Sequence, residues 1–219
     1  MLQTYKRGLS NMLIDLHMHE KTFSPDSFMK IEQIVERAKL IGLDAVCITD
    51  HDSIGFMTLV EEAQQRLDFP IFVGVEYLTT EGDVLAYGID ELPEPGLSAQ
   101  EFIDYVNKKG GACTAAHPYR NNNRGLGDHI YKVKGLHAVE VLNGNSTLEE
   151  NQQAFITAKE HGLQCVGGSD SHHFGQVGVY ATYFPNQVST IHELAQELKK
   201  GNCQPVMVKG HQIIETVTA

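Results

Sequence analysis

Residues 13–19 read Leu-Ile-Asp-Leu-His-Met-His, and the rest of the chain is organised around this stretch. In an extended strand, side chains two residues apart point to the same face. Asp15, His17 and His19 therefore share one face, and the apolar residues between them share the other. Two imidazoles at the end of one strand can bind a single cation together, since histidine is a common metal ligand. The alternative is a strand end with two solvated histidines.

Short apolar runs alternate along the chain with segments of helical periodicity. The runs predict strands over residues 12–17, 44–49, 71–75, 84–89, 112–116, 138–142 and 163–167, and further strands over 177–184 and 205–208. Helices are predicted over residues 31–41, 55–67, 98–109, 147–161 and 189–201. Strands that alternate with helices of about 10 to 15 residues indicate βα units and a parallel sheet. About seven such units in one α/β domain favour a closed or distorted barrel over an open sheet.

The composition is that of a globular protein, with 219 residues, 42% of them hydrophobic and 21% charged. This length suits one large domain. No apolar run approaches the roughly 20 residues of a membrane span, and the first residues do not resemble a secretory signal. The cytoplasm is therefore the expected compartment, and no membrane partner is expected.

The cysteines and the net charge exclude some kinds of metal site and some kinds of binding partner. The four cysteines form no Cys-x-x-Cys pair, so neither a disulfide nor a thiolate metal site is expected. The formal net charge of -11 argues against binding to a long nucleic acid. Bound divalent cations would offset part of this charge, so an acidic site under cations can still accept a phosphate.

Polar side chains follow the predicted strands, always at the same end. In βα barrels the chemistry lies where the strands end. Each residue alone has a structural alternative, such as a turn or a helix cap, but the joint pattern indicates one site. The residues at these endings are His17, His19, Asp26, Asp50, His51, Glu76, His117, Asn143, Asn145, Asp170, His172 and His173.

Imidazole and carboxylate ligands without thiolate suit zinc, manganese or iron, and the sequence does not choose among them. A cluster of such ions lowers the pKa of a bound water toward 7 from about 15.7 and clamps the oxygens of an in-line displacement. Phosphate esters suit this chemistry, because their transition state spreads negative charge over several oxygens.

Five short motifs, in this order, resemble those of the PHP (polymerase and histidinol phosphatase) family. They are Asp15-Leu-His17-Met-His19, Ile48-Thr-Asp50-His51-Asp52, Gly74-Val-Glu76, Ala116-His117-Pro118 and Ser169-Asp170-Ser-His172. The resemblance covers about residues 12–185. It implies a distorted (β/α)7 TIM-like barrel with two or three divalent metal ions, zinc, manganese or iron, and a metal-dependent phosphoesterase activity. The division that it implies is an N-terminal arm at 1–11, a PHP hydrolase domain at 12–208 and a C-terminal tail at 209–219.

The resemblance also implies three metal positions with defined ligands. They are His17, His19, Glu76 and Asp170 for the first metal, Glu76 and His117 for the second, and Asp26, His51 and His172 for the third. Many relatives place a further histidine after the glutamate motif, in the strand that here reads Gly82-Asp83-Val84-Leu85, and this chain has Asp83 nearby instead. This departure predicts that the second metal has fewer protein ligands or is absent. Asp50 and Asp15 are expected to orient ligands.

The resulting hypothesis is hydrolysis of a small phosphomonoester, of nucleotide or of sugar or amino-alcohol phosphate type, by a metal-activated water. Asp170, His172, His173 and Arg120 are the predicted catalytic residues, with His173 as the proton donor to the leaving oxygen. Arg120 and Arg124 either contact phosphate or are solvated loop residues. The alternatives are a metal-dependent hydrolase of a C–N or C–O bond and a non-catalytic metal-binding module of a larger assembly. The partner expected is a small phosphorylated substrate, and the sequence predicts no oligomeric state.

Overall fold

The computed structural model describes residues 11–209 and the backbone of residues 212–215. Of the predicted N-terminal arm (1–11) only residue 11 is described, and of the predicted C-terminal tail (209–219) only residue 209 and the backbone of 212–215. The strands are β1 (Met12–Asp15), β2 (Ala45–Ile48), β3 (Ile71–Val73), β4 (Val75–Leu78), β5 (Asp83–Tyr87), β6 (Ala112–Ala115), β7 (Ala138–Asn143), β8 (Gln164–Gly168), β9 (Tyr180–Phe184), β10 (Gln204–Lys209) and β11 (Gln212–Glu215). The α-helices are α1 (Ile31–Ile41), α2 (Val60–Leu67), α3 (Ala99–Lys108), α4 (Leu148–Glu160) and α5 (Ile191–Lys199).

The strands form two sheets in a mixed α/β architecture. The first sheet has the order β11-β10-β9-β1-β2-β3, and the second has the order β4-β5-β6-β7-β8. Strands β1 to β3 are parallel, as are β6 to β8, while β4, β5 and β6 pair antiparallel. Strands β4 and β5 form a hairpin with no helix between them.

The sheets meet at two places but do not form one closed ring of paired strands. Only Gly74 separates β3 from β4, and a Cβ at this position would lie 2.7 Å from the Ala86 carbonyl oxygen. Outside the named strands the described chain makes two isolated bridges between the sheets, Met18 with Ser171 beyond β1 and β8, and His51 with Glu76 beyond β2. Asp170 has a left-handed backbone (φ 50°), which ends the extended geometry there. The predicted closed barrel is therefore not confirmed.

Three apolar clusters hold the helices and sheets together. One packs α1 and α2 against the first sheet, and a second packs α3 and α4 against the second sheet. The third cluster lies between the two sheets and includes Tyr87, Phe184 and, from α5, Leu194 and Leu198. Helix α5 thus covers the end at which the strands begin. The opposite end is left for polar side chains.

Two helix starts differ from the sequence prediction. Residues 55–58 form a 3-10 turn, and α2 begins only at Val60. Helix α5 is capped by Thr190, whose side chain accepts a hydrogen bond from the Glu193 N–H, one residue later than the predicted start. None of the helices in the described part of the chain has the length and apolarity needed to cross a membrane.

The capping box of α3 allows a test of local stability. The Ser98 Oγ accepts a hydrogen bond from the Glu101 N–H at 3.3 Å, and the Glu101 carboxylate accepts one from the Ser98 N–H at 2.9 Å. We expect Ser98→Ala to lower the free energy of unfolding by about 1 kcal/mol, because an N-cap acceptor is lost. In a chain of this size that corresponds to a fall in Tm of roughly 2–4 °C, measured by thermal denaturation. An equal fall in the exposed control Thr80→Ala would contradict this assignment.

Candidate metal centre

The strand ends bring the predicted polar residues together around one small cavity. It has a volume of about 120 Å³ and is open to solvent on one side. Its walls are formed by Asp26, His51, Glu76, His117, Arg120, Asn122, Arg124, Asp170 and His172. His17 and His19 lie fully buried beneath it. The residues that sequence spacing placed at the ends of separate strands therefore do share one site.

The ligand atoms of His17, His19, Glu76 and Asp170 have the spacing of a tetrahedral metal site. Two ligand atoms that are each about 2.1 Å from a tetrahedral metal lie about 3.4 Å apart. The His17 Nε2 lies 3.5 Å from Glu76 Oε1 and 3.5 Å from Asp170 Oδ1. The His19 Nε2 lies 3.5 Å from Glu76 Oε2 and 3.2 Å from Asp170 Oδ1. The ligand atoms of His17, His19 and Glu76 all lie within 4.8 Å of one another, so this set could hold a divalent cation.

The protonation of His17 is fixed by a buried carboxylate behind it. The His17 Nδ1 lies 3.0 Å from Glu140 Oε1, and because a carboxylate only accepts, Nδ1 carries the proton. In the neutral imidazole that a metal would bind, the Nε2 lone pair is then directed toward the cavity. Glu140 also accepts hydrogen bonds from the His117 backbone N–H at 2.9 Å and from Asn143 Nδ2 at 2.9 Å.

A second set of hydrogen bonds determines which ring nitrogen of His19 carries the proton. The Ser24 hydroxyl donates to Asp50 Oδ1 at 2.8 Å, so its oxygen is left to accept from His19 Nδ1 at 3.3 Å. The His19 Nε2 is therefore also unprotonated, and it lies 3.2 Å from His17 Nε2. If both imidazoles were neutral, two lone pairs at this distance would repel each other, and either a proton on His17 Nε2 or a bound cation removes the repulsion. The donor set thus fits a bound metal ion.

A second group lies nearer the solvent. Asp26 Oδ2 is 3.1 Å from His51 Nε2 and 3.4 Å from His172 Nε2, again close to the spacing of metal ligands. The His172 Nδ1 donates to the Asp170 carbonyl oxygen at 3.0 Å, so its Nε2 faces Asp26 as a lone pair. These side chains could hold a further cation at the rim of the cavity.

Glu76 lies between the groups, and each of its oxygens faces two imidazoles. Oε1 is near His17 and His117, and Oε2 is near His19 and His51. Oε2 lies 2.8 Å from His51 Nδ1 as a buried ion pair, although the two atoms are poorly aligned for a hydrogen bond. This arrangement suits a carboxylate that bridges two cations.

The pKa values reflect the dense packing of charge. Burial alone would raise the pKa of Asp170, but the positive charge of the adjacent His17 holds it well below its usual range. Burial would likewise lower the pKa of His17, but the carboxylates of Glu140, Asp170 and Glu76 raise it well above its usual value. The pKa of His19 falls to about 4, chiefly through burial. The field in the site is strongly negative and therefore favours cations.

Comparison with known proteins identifies the family. A family model described as PHP-associated matches residues 149–203. An uncharacterised protein of Methanocaldococcus jannaschii is 33% identical over 141 residues, which cover 60% of this chain and 82% of that protein. This chain is a PHP-domain protein.

Solved structures share the PHP fold at lower sequence identity. A two-domain Bacteroides vulgatus protein that contains a predicted PHP-like metal-dependent phosphoesterase matches with a TM-score of 0.71 at 20% identity, over 94% of this chain and 68% of that one. A Bifidobacterium adolescentis protein described as a candidate metal-dependent phosphoesterase matches with a TM-score of 0.63 at 20% identity, over 86% of this chain and 96% of that one. At these identities the structures show a common fold.

Arg120 and Arg124, in the loop after β6, both line the cavity and contact carboxylates. Arg120 donates from Nη1 and Nη2 to Asp170 Oδ2, at 2.6 and 2.7 Å. Arg124 donates from Nε to Asp83 Oδ2 at 2.7 Å and from Nη2 to Asp83 Oδ1 at 2.9 Å. The alternative that these arginines are solvated loop residues does not agree with this geometry.

His173, one of the predicted catalytic residues, does not line the cavity. Its exposed ring stacks on the exposed ring of Phe28, with centroids 4.8 Å apart and an angle of 11° between the planes. A proton donor must come within hydrogen-bond reach of the leaving oxygen. The role of His173 as this donor stays a prediction.

Sequence reasoning missed Glu140 and Ser24, the two side chains that contact the ring nitrogens of His17 and His19. Glu140 had one signal, a single carboxylate in the middle of the apolar run of β7. Asp50 accepts a hydrogen bond from Ser24, which contacts His19 Nδ1, so it acts on His19 through Ser24 and not on the neighbouring His51. Asp15 contacts no imidazole among the described contacts, and its carboxylate accepts the backbone N–H groups of Ser169 and Gly178. It therefore holds the loop after β8 against β1.

Strained backbone is concentrated at this site. Of the five described non-glycine residues with positive φ, His117 (26°) and Asp170 (50°) belong to the ligand set, and Asp52 (47°) follows His51. Such conformations cost about 1–3 kcal/mol each and persist where the surroundings fix them, often at functional sites. Here they turn the chain sharply at the strand ends and direct the side chains inward.

Proposed function

We propose that this chain is a metal-dependent phosphoesterase that hydrolyses a small phosphomonoester. The observation that carries the proposal is the 3.2–3.5 Å spacing among the ligand atoms of His17, His19, Glu76 and Asp170 beneath an open cavity. The proposal is supported by the membership of the PHP family and by the phosphoesterase descriptions of two proteins with the same fold.

His17, His19, Glu76 and Asp170 would hold one divalent cation, and Asp26, His51 and His172 would hold another. Nitrogen and carboxylate ligands of this kind suit zinc, manganese or iron. Divalent cations bound there supply a water of lowered pKa and positive charge opposite the phosphoryl oxygens. Glu140 and Ser24 keep the imidazoles in the tautomers that such binding requires.

Arg120 is proposed to bind and orient the phosphate. Its guanidinium lines the cavity and is held in place by Asp170 Oδ2, so it presents fixed positive charge to an entering anion. Planar guanidinium groups suit phosphate recognition because they offer several N–H donors in a rigid geometry. Asn122 lies in the same wall and offers a further side-chain donor.

The size of the cavity favours a small phosphomonoester. A volume of about 120 Å³ is well below the roughly 300 Å³ at which drug-sized ligand pockets begin. The phosphoryl group can enter, while the leaving group stays at the open rim. The candidate specificity loops are residues 21–27, 77–83, 119–127 and 143–146, of which 21–27 and 119–127 contribute side chains to the cavity walls.

The test is hydrolysis of p-nitrophenyl phosphate by protein purified without chelators, with metal content measured on the same sample. We expect bound zinc, manganese or iron, loss of activity after treatment with EDTA, and recovery when the metal is restored. Inorganic phosphate is expected to inhibit competitively. Bound metal without hydrolysis of any phosphoester in a broad screen would contradict the proposal and favour a C–N or C–O bond or a binding role.

A further inference from the structure

A third group of possible ligands, Glu76, Asp83 and His117, lies on the side of the cavity formed by β4, β5 and β6. One ligand atom from each of them lies within 4.8 Å of the other two. The PHP resemblance implies a metal at Glu76 and His117. A cation can bind at that position only if Asp83 and His117 have atoms free to coordinate it.

Arg124 occupies both oxygens of Asp83. Its Nε contacts Oδ2, the oxygen that lies 3.8 Å from His117 Nε2, and its Nη2 contacts Oδ1. Arg120 provides an internal comparison, because it contacts only Oδ2 of Asp170 and leaves Oδ1 facing His17 and His19. Arg120 therefore leaves one oxygen of Asp170 free to bind a metal, whereas Arg124 contacts both oxygens of Asp83.

His117 also differs from the other imidazoles in its hydrogen bonds and in which ring nitrogen carries the proton. Its Nε2 lies 2.7 Å from Glu76 Oε1 as a hydrogen bond, and because the carboxylate only accepts, Nε2 carries the proton. Its Nδ1 is buried without a partner. Metal-bound histidines almost always donate their other ring N–H to a neighbouring group, as the Nδ1 atoms of His17 and His172 do here.

The backbone fixes Arg124 in this position. The Asp83 N–H donates to the Arg124 carbonyl oxygen at 2.6 Å. A Cβ at Gly82 would lie 2.6 Å from the Gly125 carbonyl carbon, and one at Gly125 would lie 2.2 Å from the Pro118 carbonyl oxygen. The loop thus approaches β5 as closely as glycine permits. The packing of this loop against β5 therefore determines where the Arg124 guanidinium lies.

We propose that the Arg124 guanidinium replaces the second metal ion, so that this protein binds two divalent cations and not three. This inference rests on the proposed metal centre and defines its composition. A guanidinium stays protonated at any physiological pH, and its five N–H donors match a carboxylate in two parallel bonds. The position keeps a positive charge beside Glu76 that a chelator does not remove.

The experiment compares the metal stoichiometry of wild type, Arg124→Gln and the double variant Arg124→Gln/Asp83→Asn. Each protein is stripped with EDTA and titrated with Mn²⁺ by isothermal calorimetry, and its metal content is measured after gel filtration. We expect two equivalents for wild type, three for Arg124→Gln and two for the double variant, because the third ion needs the released carboxylate of Asp83. Arg66→Gln is the matched control, since it also breaks an arginine–carboxylate pair, with Glu32, on the exposed surface.

Three equivalents in the wild type, or two in a folded Arg124→Gln, would overturn this inference alone. The wild-type titration still decides the question if the Arg124 variant does not fold, which circular dichroism would show. A wild type that binds no metal would overturn the proposed function together with it. The readout is stoichiometry, so it does not depend on finding the physiological substrate.

Discussion

Glu76→Gln is expected to lower kcat for p-nitrophenyl phosphate by about 10³-fold or more and to weaken metal binding. Each Glu76 oxygen faces two imidazoles, so the carboxylate lies between the two proposed cations. An amide has nearly the same shape but presents only one acceptor oxygen and no charge. A loss of about 4 kcal/mol in transition-state stabilisation corresponds to a factor of about 10³ in rate.

The measurement pairs steady-state kinetics over a range of metal concentrations with metal analysis. Glu62→Gln is the matched control, because it makes the same change of charge at an exposed position of α2, and its kcat is expected to equal that of wild type. If Glu76→Gln retained the wild-type rate and stoichiometry, Glu76 would not be a metal ligand and the proposed centre would be wrong.

Glu140→Ala is expected to lower both metal affinity and the stability of the metal-free protein. The buried Glu140 carboxylate accepts hydrogen bonds from three donors, which are His17 Nδ1, the His117 N–H and Asn143 Nδ2. Removal of an outer partner of a metal-bound histidine typically weakens metal binding by about 10 to 100-fold. Removal of one member of a buried charged pair typically costs about 3–5 kcal/mol of unfolding free energy.

Metal affinity would be measured by Mn²⁺ titration, and stability by urea denaturation of the metal-free protein. Glu36→Ala removes an exposed carboxylate from α1 and should leave both quantities close to wild type. The kcat of Glu140→Ala at saturating metal should fall much less than that of Glu76→Gln, because Glu140 acts through His17. An unchanged metal affinity would show that the tautomer of His17 does not depend on Glu140.

Much of the fold could be predicted because periodicity along the chain reports local geometry. Each of the seven apolar runs first assigned as strands overlaps a described strand, and the run 71–75 divides at Gly74 into β3 and β4. The pairing of the strands could not be predicted in the same way. It depends on contacts between distant segments, such as the bridge between Met18 and Ser171, and on the left-handed turn at Asp170, which has no signal in local periodicity.

The sequence by itself determined which residues could form a site, because parallel strands place their carboxyl ends at the same edge. This argument predicted that residues such as His17, Glu76 and Asp170 would lie close together. Only the tertiary structure decided which other side chains contact these residues. Glu140 reaches His17 from another strand, and Arg124 reaches Asp83 from a loop 41 positions along the chain. Hydrogen bonds of this kind depend on distances of a few tenths of an ångström between remote segments, and these are set by packing.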